Sequence, residues 1–187
     1  MKGLVFTQLL DMAEHTVGEK GVDSMLDRCQ LETGGAYTAV GNYPCSELNT
    51  LVKALSSDVK LDIATLQNQF GHWMFRYFER TYPHYFHDKS NAFDMLEAIE
   101  DEVHAEVRKL NEKAELPRFD VRRPNPNTLV FVYQSPRGLV DFCQGLIEAC
   151  LVHFGEQATI ARTESRSGSD VVARFVIRRT GPVPVNE

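Results

Sequence analysis

The sequence predicts an α+β architecture: a mainly helical N-terminal part followed by a four-stranded antiparallel sheet crossed by one helix. Three observations carry that expectation. Up to about residue 115, apolar side chains recur at helical spacing; beyond Pro117 the period shortens to two; and one apolar segment, 138–154, interrupts the strand-like runs. With 187 residues, 43% of them apolar, the chain is long enough to bury a core as a single domain.

The helical elements follow in order. Segment 2–17 places Leu4, Phe6, Leu9, Leu10 and Ala13 on one face and stops at Gly18, and segment 20–30 repeats the theme more briefly. A third helix, 45–55, starts beside Pro44 and Ser46. Residues 63–80 carry Leu66, Phe70, Met74, Phe75 and Phe78 at helical steps, an aromatic face that needs a large apolar partner. Pro83 breaks that helix. Ser90 or Asn91 can cap the next, which is expected to run to about Lys113 with Leu96, Ile99, Val103, Val107 and Leu110 on one stripe.

The strands come next. FDVRR (119–123) alternates apolar with polar, RPNPNT is a turn signal, and TLVFVY (128–133) is β-branched and aromatic, so the three form a hairpin. Gly155 closes the apolar helix, and the last strands are expected over 157–163 and 171–179, joined by SRSGSD.

Charge and cysteine content narrow the function classes. A formal charge of −6 argues against a general nucleic-acid binder, which would need a basic footprint to neutralise phosphates. The N-terminus turns acidic before an apolar core accumulates, and no stretch approaches a membrane span, so a cytoplasmic protein is expected. Cys29, Cys45, Cys143 and Cys150 lack CxxC spacing, which points to free or buried thiols rather than a zinc site or a disulfide scaffold.

Two features carry chemistry. Tyr133, Ser135 and Arg137 lie at alternate positions where a strand ends, so they can converge on one anion; a guanidinium with two hydroxyls suits a carboxylate or phosphate. Ser135 before Pro136 also reads as a helix start, whose free N–H groups would face the same spot. A strand tyrosine, a capping serine and a solvated arginine with no common purpose fit the same spacing. His104, in EAIEDEVHAEVRKL, borders the apolar stripe, as a metal ligand or as a helix histidine held by Glu100 or Arg108. His84 and His87 lack a third ligand nearby, and His15, His72 and His153 stand alone.

Taken together, an anion receptor, one upstream imidazole and an apolar set spread over three helices fit a bound haem, with two propionates, one axial histidine and apolar faces. At this point the sequence resembles the haem nitric oxide/oxygen binding (H-NOX) family, related to the haem region of the soluble guanylate cyclase beta subunit. The resemblance covers essentially the whole chain: MKGLVF and LLDM, FGHWMFRYF, MLEAIEDEVHAEV, KAELPRF, and the motif Tyr-x-Ser-x-Arg.

By position, the resemblance implies that His104 is the proximal ligand to the iron of haem b (iron protoporphyrin IX), that Tyr133, Ser135 and Arg137 hold the propionates, and that Pro117 packs against the porphyrin. Within a single domain, 1–187, it implies a helical subdomain over about 1–60, haem-enclosing helices and sheet over about 61–180, and a short tail, 181–187. In the family, oxygen-binding members carry a distal tyrosine where this chain has Phe142. Val5, Met74, Phe78, Phe142 and Leu146 are expected to form an apolar distal wall unless Tyr77, His72 or Trp73 supplies a donor.

The expectation is therefore a nitric oxide sensor that excludes oxygen, with carbon monoxide as a further ligand. Nitric oxide would weaken the bond to His104 and free its helix to move, and the signal would pass in trans to a histidine kinase or an enzyme of cyclic-di-GMP turnover, since the tail after the last strand is too short for an output domain. An enzyme would need a distal acid or base, which this wall lacks. The alternatives are an oxygen-binding haem protein and a haem-free carboxylate-binding module.

Overall fold

In a computed structural model, residues 1–110 and 115–181 are described. Four helices come first: α1 (Gly3–Val17), α2 (Glu19–Arg28), α3 (Cys45–Val59) and α4 (Ile63–Thr81). Their apolar faces meet in a first core around Phe6, Leu9, Leu51, Leu55 and Met74, all essentially buried. Asp62 starts α4 by accepting a hydrogen bond from the Thr65 N–H at 2.9 Å. The loop between α2 and α3 is tied down by buried Glu47, which accepts from the Thr33 hydroxyl at 2.8 Å and the Tyr37 hydroxyl at 2.7 Å.

The short α5 (His84–His87) leads to α6 (Ala92–Ala98), which Asn91 caps through its side-chain oxygen. The expected single helix is continuous from Ala92 to Leu110 but is not α-helical throughout. After α6 comes a π-helical segment, Ile99–His104, and then α7 (Ala105–Leu110); the remaining stretch to Lys113 and the place of the Leu110 side chain lie outside the described residues. A π turn inserts an extra residue per turn and re-aims the side chains that follow it, a feature frequent at functional sites.

The sheet has the order β1-β2-β4-β3, with β1 (Arg118–Asn125), β2 (Thr128–Ser135), β3 (Ala158–Ser167) and β4 (Asp170–Arg179), all neighbours antiparallel. Each strand is longer than its sequence signal. Pro124 stands inside β1, tolerated because β1 is an edge strand and its register shifts between Arg122 and Asn125. Leu129, Phe131, Tyr133 and Ser135 alternate inward on β2 and, with Ala173, Phe175 and Ile177 of β4, line a second core.

Helix α8 (Val140–His153) joins β2 to β3 and belongs to both cores. Cys143, Ile147 and Cys150 face the sheet core, while Phe142 packs on the helical one and Leu146 touches both. It lies so close to α4 that a Cβ on Gly145 would sit 2.1 Å from the Asn68 carbonyl oxygen, and one on Gly71 2.4 Å from that of Phe142. The expected helix start at Ser135–Pro136 is not formed. Ser135 remains in the ladder opposite Val171, the chain turns through Gly138 with φ +63, and α8 begins only at Val140.

At the far end of the sheet, Arg179 and Glu156 form a buried ion pair at 2.6 Å; Arg179 also reaches Asn91 and lies 3.8 Å over the Phe93 ring. This joins β4, the start of α6 and the end of α8. No helix among the described residues is long and apolar enough to cross a membrane. Because the α4–α8 contact leaves no room for a methyl group, Gly145→Ala is expected to destabilise the fold by ~1–3 kcal/mol, read as a lower urea midpoint.

Candidate functional site

His104 closes the π-helical segment, whose Ile99 and Val103 pack on the sheet core. Its imidazole stacks on Phe119 of β1, with centroids 5.0 Å apart and planes at 24°. Nδ1 lies 3.1 Å from Glu100 Oε2. Burial alone would push the Glu100 carboxyl up, but hydrogen bonds from Arg108 and His104 outweigh it and hold its pKa below the usual range. An ionised carboxylate can only accept, so Nδ1 carries the proton and Nε2 the lone pair. Burial also pushes the His104 pKa down, further than Glu100 raises it, and favours the neutral ring that a metal requires. Nε2 makes no hydrogen bond among the described residues, and no polar side-chain atom among them is both buried and unpartnered.

The anion-receptor residues come together where β2 ends. Tyr133 and Ser135 are buried; the Tyr133 hydroxyl accepts from the Leu139 N–H at 3.1 Å, and Ser135 Oγ accepts from the Arg137 N–H at 3.2 Å. Arg137 sits in the turn after the strand. Its guanidinium donates to the Glu115 carboxylate at 2.6 Å and to the Glu115 backbone carbonyl. Pro117, half-buried, lies in the short link between Glu115 and β1. The spot is built from a strand end and a turn, with no contribution from a helix N-terminus, because α8 starts five residues after Ser135.

The five apolar residues expected on the distal side gather in the helical core: Met74 is buried, and Val5, Phe78, Phe142 and Leu146 pack against it. The rings of Phe142 and Phe70 are 5.1 Å apart. Trp73 and His72 face polar partners, whereas Tyr77 lies against Phe78 of the expected wall as well as against Tyr82. The Trp73 indole N–H donates to Gln8 at 3.0 Å, His72 Nε2 is 3.2 Å from Glu148, and Tyr77 stacks edge-on with Phe78 and Tyr82. His15, His84, His87 and His153 are all exposed. Phe78 and Leu146 touch both cores, and Ile99 and Val103 of the His104 segment pack on the sheet core. A cleft of about 310 Å³ lies elsewhere, lined among others by Met12, His15, His72, Trp73 and Arg76, and shares no residue with this set.

The donor set fits a haem. A neutral imidazole with one nitrogen held and the other without a partner among the described residues suits an axial ligand; a guanidinium already paired with a carboxylate suits a propionate; and Phe78 and Leu146, packed against both cores, are apolar. Sequence reasoning missed the Phe119 stack and the carboxylate of Glu115. The alternation in FDVRR could have signalled the first; nothing local marks the second.

A family model described as haem-NO-binding matches residues 2–162. Among solved structures, the Fe(II) unliganded H-NOX protein from K. algicida is 31% identical, with all of both chains covered and a TM-score of 0.90. A mutant of the H-NOX protein from T. Tengcongensis is 21% identical, covering 98% of this chain and 100% of that one with a TM-score of 0.87. An oxygen-binding H-NOX domain related to soluble guanylate cyclases, in its oxygen complex, is 20% identical, covering 100% and 99% with a TM-score of 0.83. At such identities the last two likenesses speak for the fold alone. No curated protein gives a significant match.

Burial raises the pKa of all four thiols, and it does so most for Cys143 and Cys150 on α8. Iodoacetamide at pH 8 should therefore label the part-exposed Cys29 and Cys45 first and leave Cys143 and Cys150 unmodified until the protein is unfolded, as peptide mass spectrometry would show.

Proposed function

This chain belongs to the haem-NO-binding family, whose members bind haem and gas ligands, and from that premise we propose a haem-based sensor that takes nitric oxide at ferrous iron and excludes oxygen. The observation that carries this reading is the geometry of His104: one nitrogen held by Glu100, the other without a hydrogen-bond partner among the described residues, on a π-helical segment packed on the sheet core. When bound, haem would supply a ferrous iron able to take a diatomic gas.

Each group of residues has its part. His104 offers the Nε2 lone pair. Tyr133, Ser135 and Arg137 receive the propionates, with Glu115 as the carboxylate displaced; its side chain is 83% exposed and free to swing into water. Pro117 packs against the macrocycle. Val5, Met74, Phe78, Phe142 and Leu146 keep water and hydrogen-bond donors away from the gas. Nitric oxide binds ferrous iron well without a donor, whereas oxygen gains from one, so a donor-free wall discriminates between them. The fold does not choose the gas, since an oxygen-binding domain shares it; the choice rests on Phe142 and its neighbours.

His104 is also where a signal would leave the site. A displacement of its ring is felt through Glu100 by the backbone of β1, through Phe119 by the sheet core, and along the chain by α7. We assign the output to a partner in trans, a histidine kinase or an enzyme of cyclic-di-GMP turnover.

The test is the ultraviolet–visible spectrum of the anaerobically reduced, haem-loaded protein. A five-coordinate ferrous spectrum should be unchanged by oxygen and should shift with nitric oxide. His104→Ala should lose that spectrum; an unchanged one would overturn the ligand assignment, and a stable complex of the wild-type protein with oxygen would overturn the gas selectivity. Phe142→Tyr should raise oxygen affinity by on the order of tenfold, the worth of one net hydrogen bond, measured by oxygen titration of the reduced protein.

A further inference from the structure

Resting on the assignment of His104 as iron ligand, we infer that Glu100 is its positioning residue: the carboxylate fixes the ring and its tautomer, and with Arg108 sets how strongly Nε2 donates to iron. Three donors from three elements converge on this one side chain. Its Oε2 accepts from His104 Nδ1 at 3.1 Å and from the Phe119 N–H of β1 at 3.3 Å, while its Oε1 accepts from Arg108 of α7.

An ordinary surface pair at i, i+4 would be solvated and free to rotate. Here the imidazole side chain is only 12% exposed and the carboxylate 25%, and the contact with Phe119 anchors Glu100 to a strand that does not belong to its own helix. The neighbouring acids point elsewhere: Glu102 pairs with Lys89 at 2.7 Å, and Asp101 is exposed.

The chemistry gives each partner a sign. A carboxylate that accepts the Nδ1 proton draws it away from the ring and makes Nε2 a stronger donor, as outer partners of metal-bound histidines do. Arg108 works against this by taking negative charge from the same carboxylate. The balance of the two tunes the iron–histidine bond.

Two variants test the inference on the haem-loaded protein: Glu100→Gln, which removes the charge while keeping an acceptor, and Arg108→Met, which removes the competitor. Resonance Raman of the ferrous form reads the iron–histidine stretch, and a spectroelectrochemical titration reads the reduction potential. Glu100→Gln should lower the stretching frequency, move the potential positive and speed haem transfer to apomyoglobin about tenfold. Arg108→Met should raise the frequency and move the potential negative. A purely structural role would not give opposite shifts, and through-space charge alone would move the potential but leave the band in place. An unchanged band in both variants, with the band abolished by His104→Ala, overturns the role of Glu100; a band that survives His104→Ala overturns the ligand assignment instead.

Discussion

Everything in this molecule is arranged around the contact between α8 and α4. Two bare glycine positions, Gly71 and Gly145, let the helix backbones touch, and the side chains on either side of that line are sorted into two cores. A helix that is apolar on more than one face must be covered on more than one face, and α8 satisfies this by lying between the four-helix part and the sheet. Along the boundary that results, Phe78 and Leu146 pack against both parts, so the two cores are joined by apolar contacts as well as by the helix backbones.

The surroundings of His104 obey a second constraint, the need to hold a neutral histidine still in an acidic neighbourhood. The run around His104 carries Glu100, Asp101, Glu102 and Glu106, which would favour an imidazolium if they all faced the ring. The π-helical turn presents only Glu100 to it, with Arg108 and a backbone N–H sharing the carboxylate, and burial against Phe119 does the rest. Net acidity in the sequence and a low pKa at His104 are thus compatible.

Helices were legible in the sequence because their signals are local: a 3.6-residue period, Asn91 as a cap, prolines at the ends. The sheet was legible in kind but not in length, since hydrogen bonds to a neighbouring strand carry β3 and β4 through polar residues that look like a turn. Two features were hidden. The π segment has no periodic signature of its own, and Ser135–Pro136 has a helix start's local chemistry but is claimed by pairing with Val171, so tertiary hydrogen bonding overrode capping preference. At the site, residue identities came from resemblance and from spacing, whereas the partners of those residues, Phe119 for His104 and Glu115 for Arg137, depend on which strand lies beside which helix.

The ion pair between Arg137 and Glu115 has a consequence for how a dianionic guest is accommodated. A cation waiting alone at the mouth of a pocket would gain a whole charge–charge interaction when a carboxylate arrived, but this one is already satisfied by its own chain. If Arg137 takes a propionate, as proposed, docking would exchange one anion for another, nearly neutral in electrostatic terms. Selection among guests would fall to the remaining differences between them: the area of flat hydrocarbon each can hide, and the metal each brings to His104. On that reading a small polar carboxylic acid would gain little, and the same ion pair would filter out the small organic anions that surround any protein in solution.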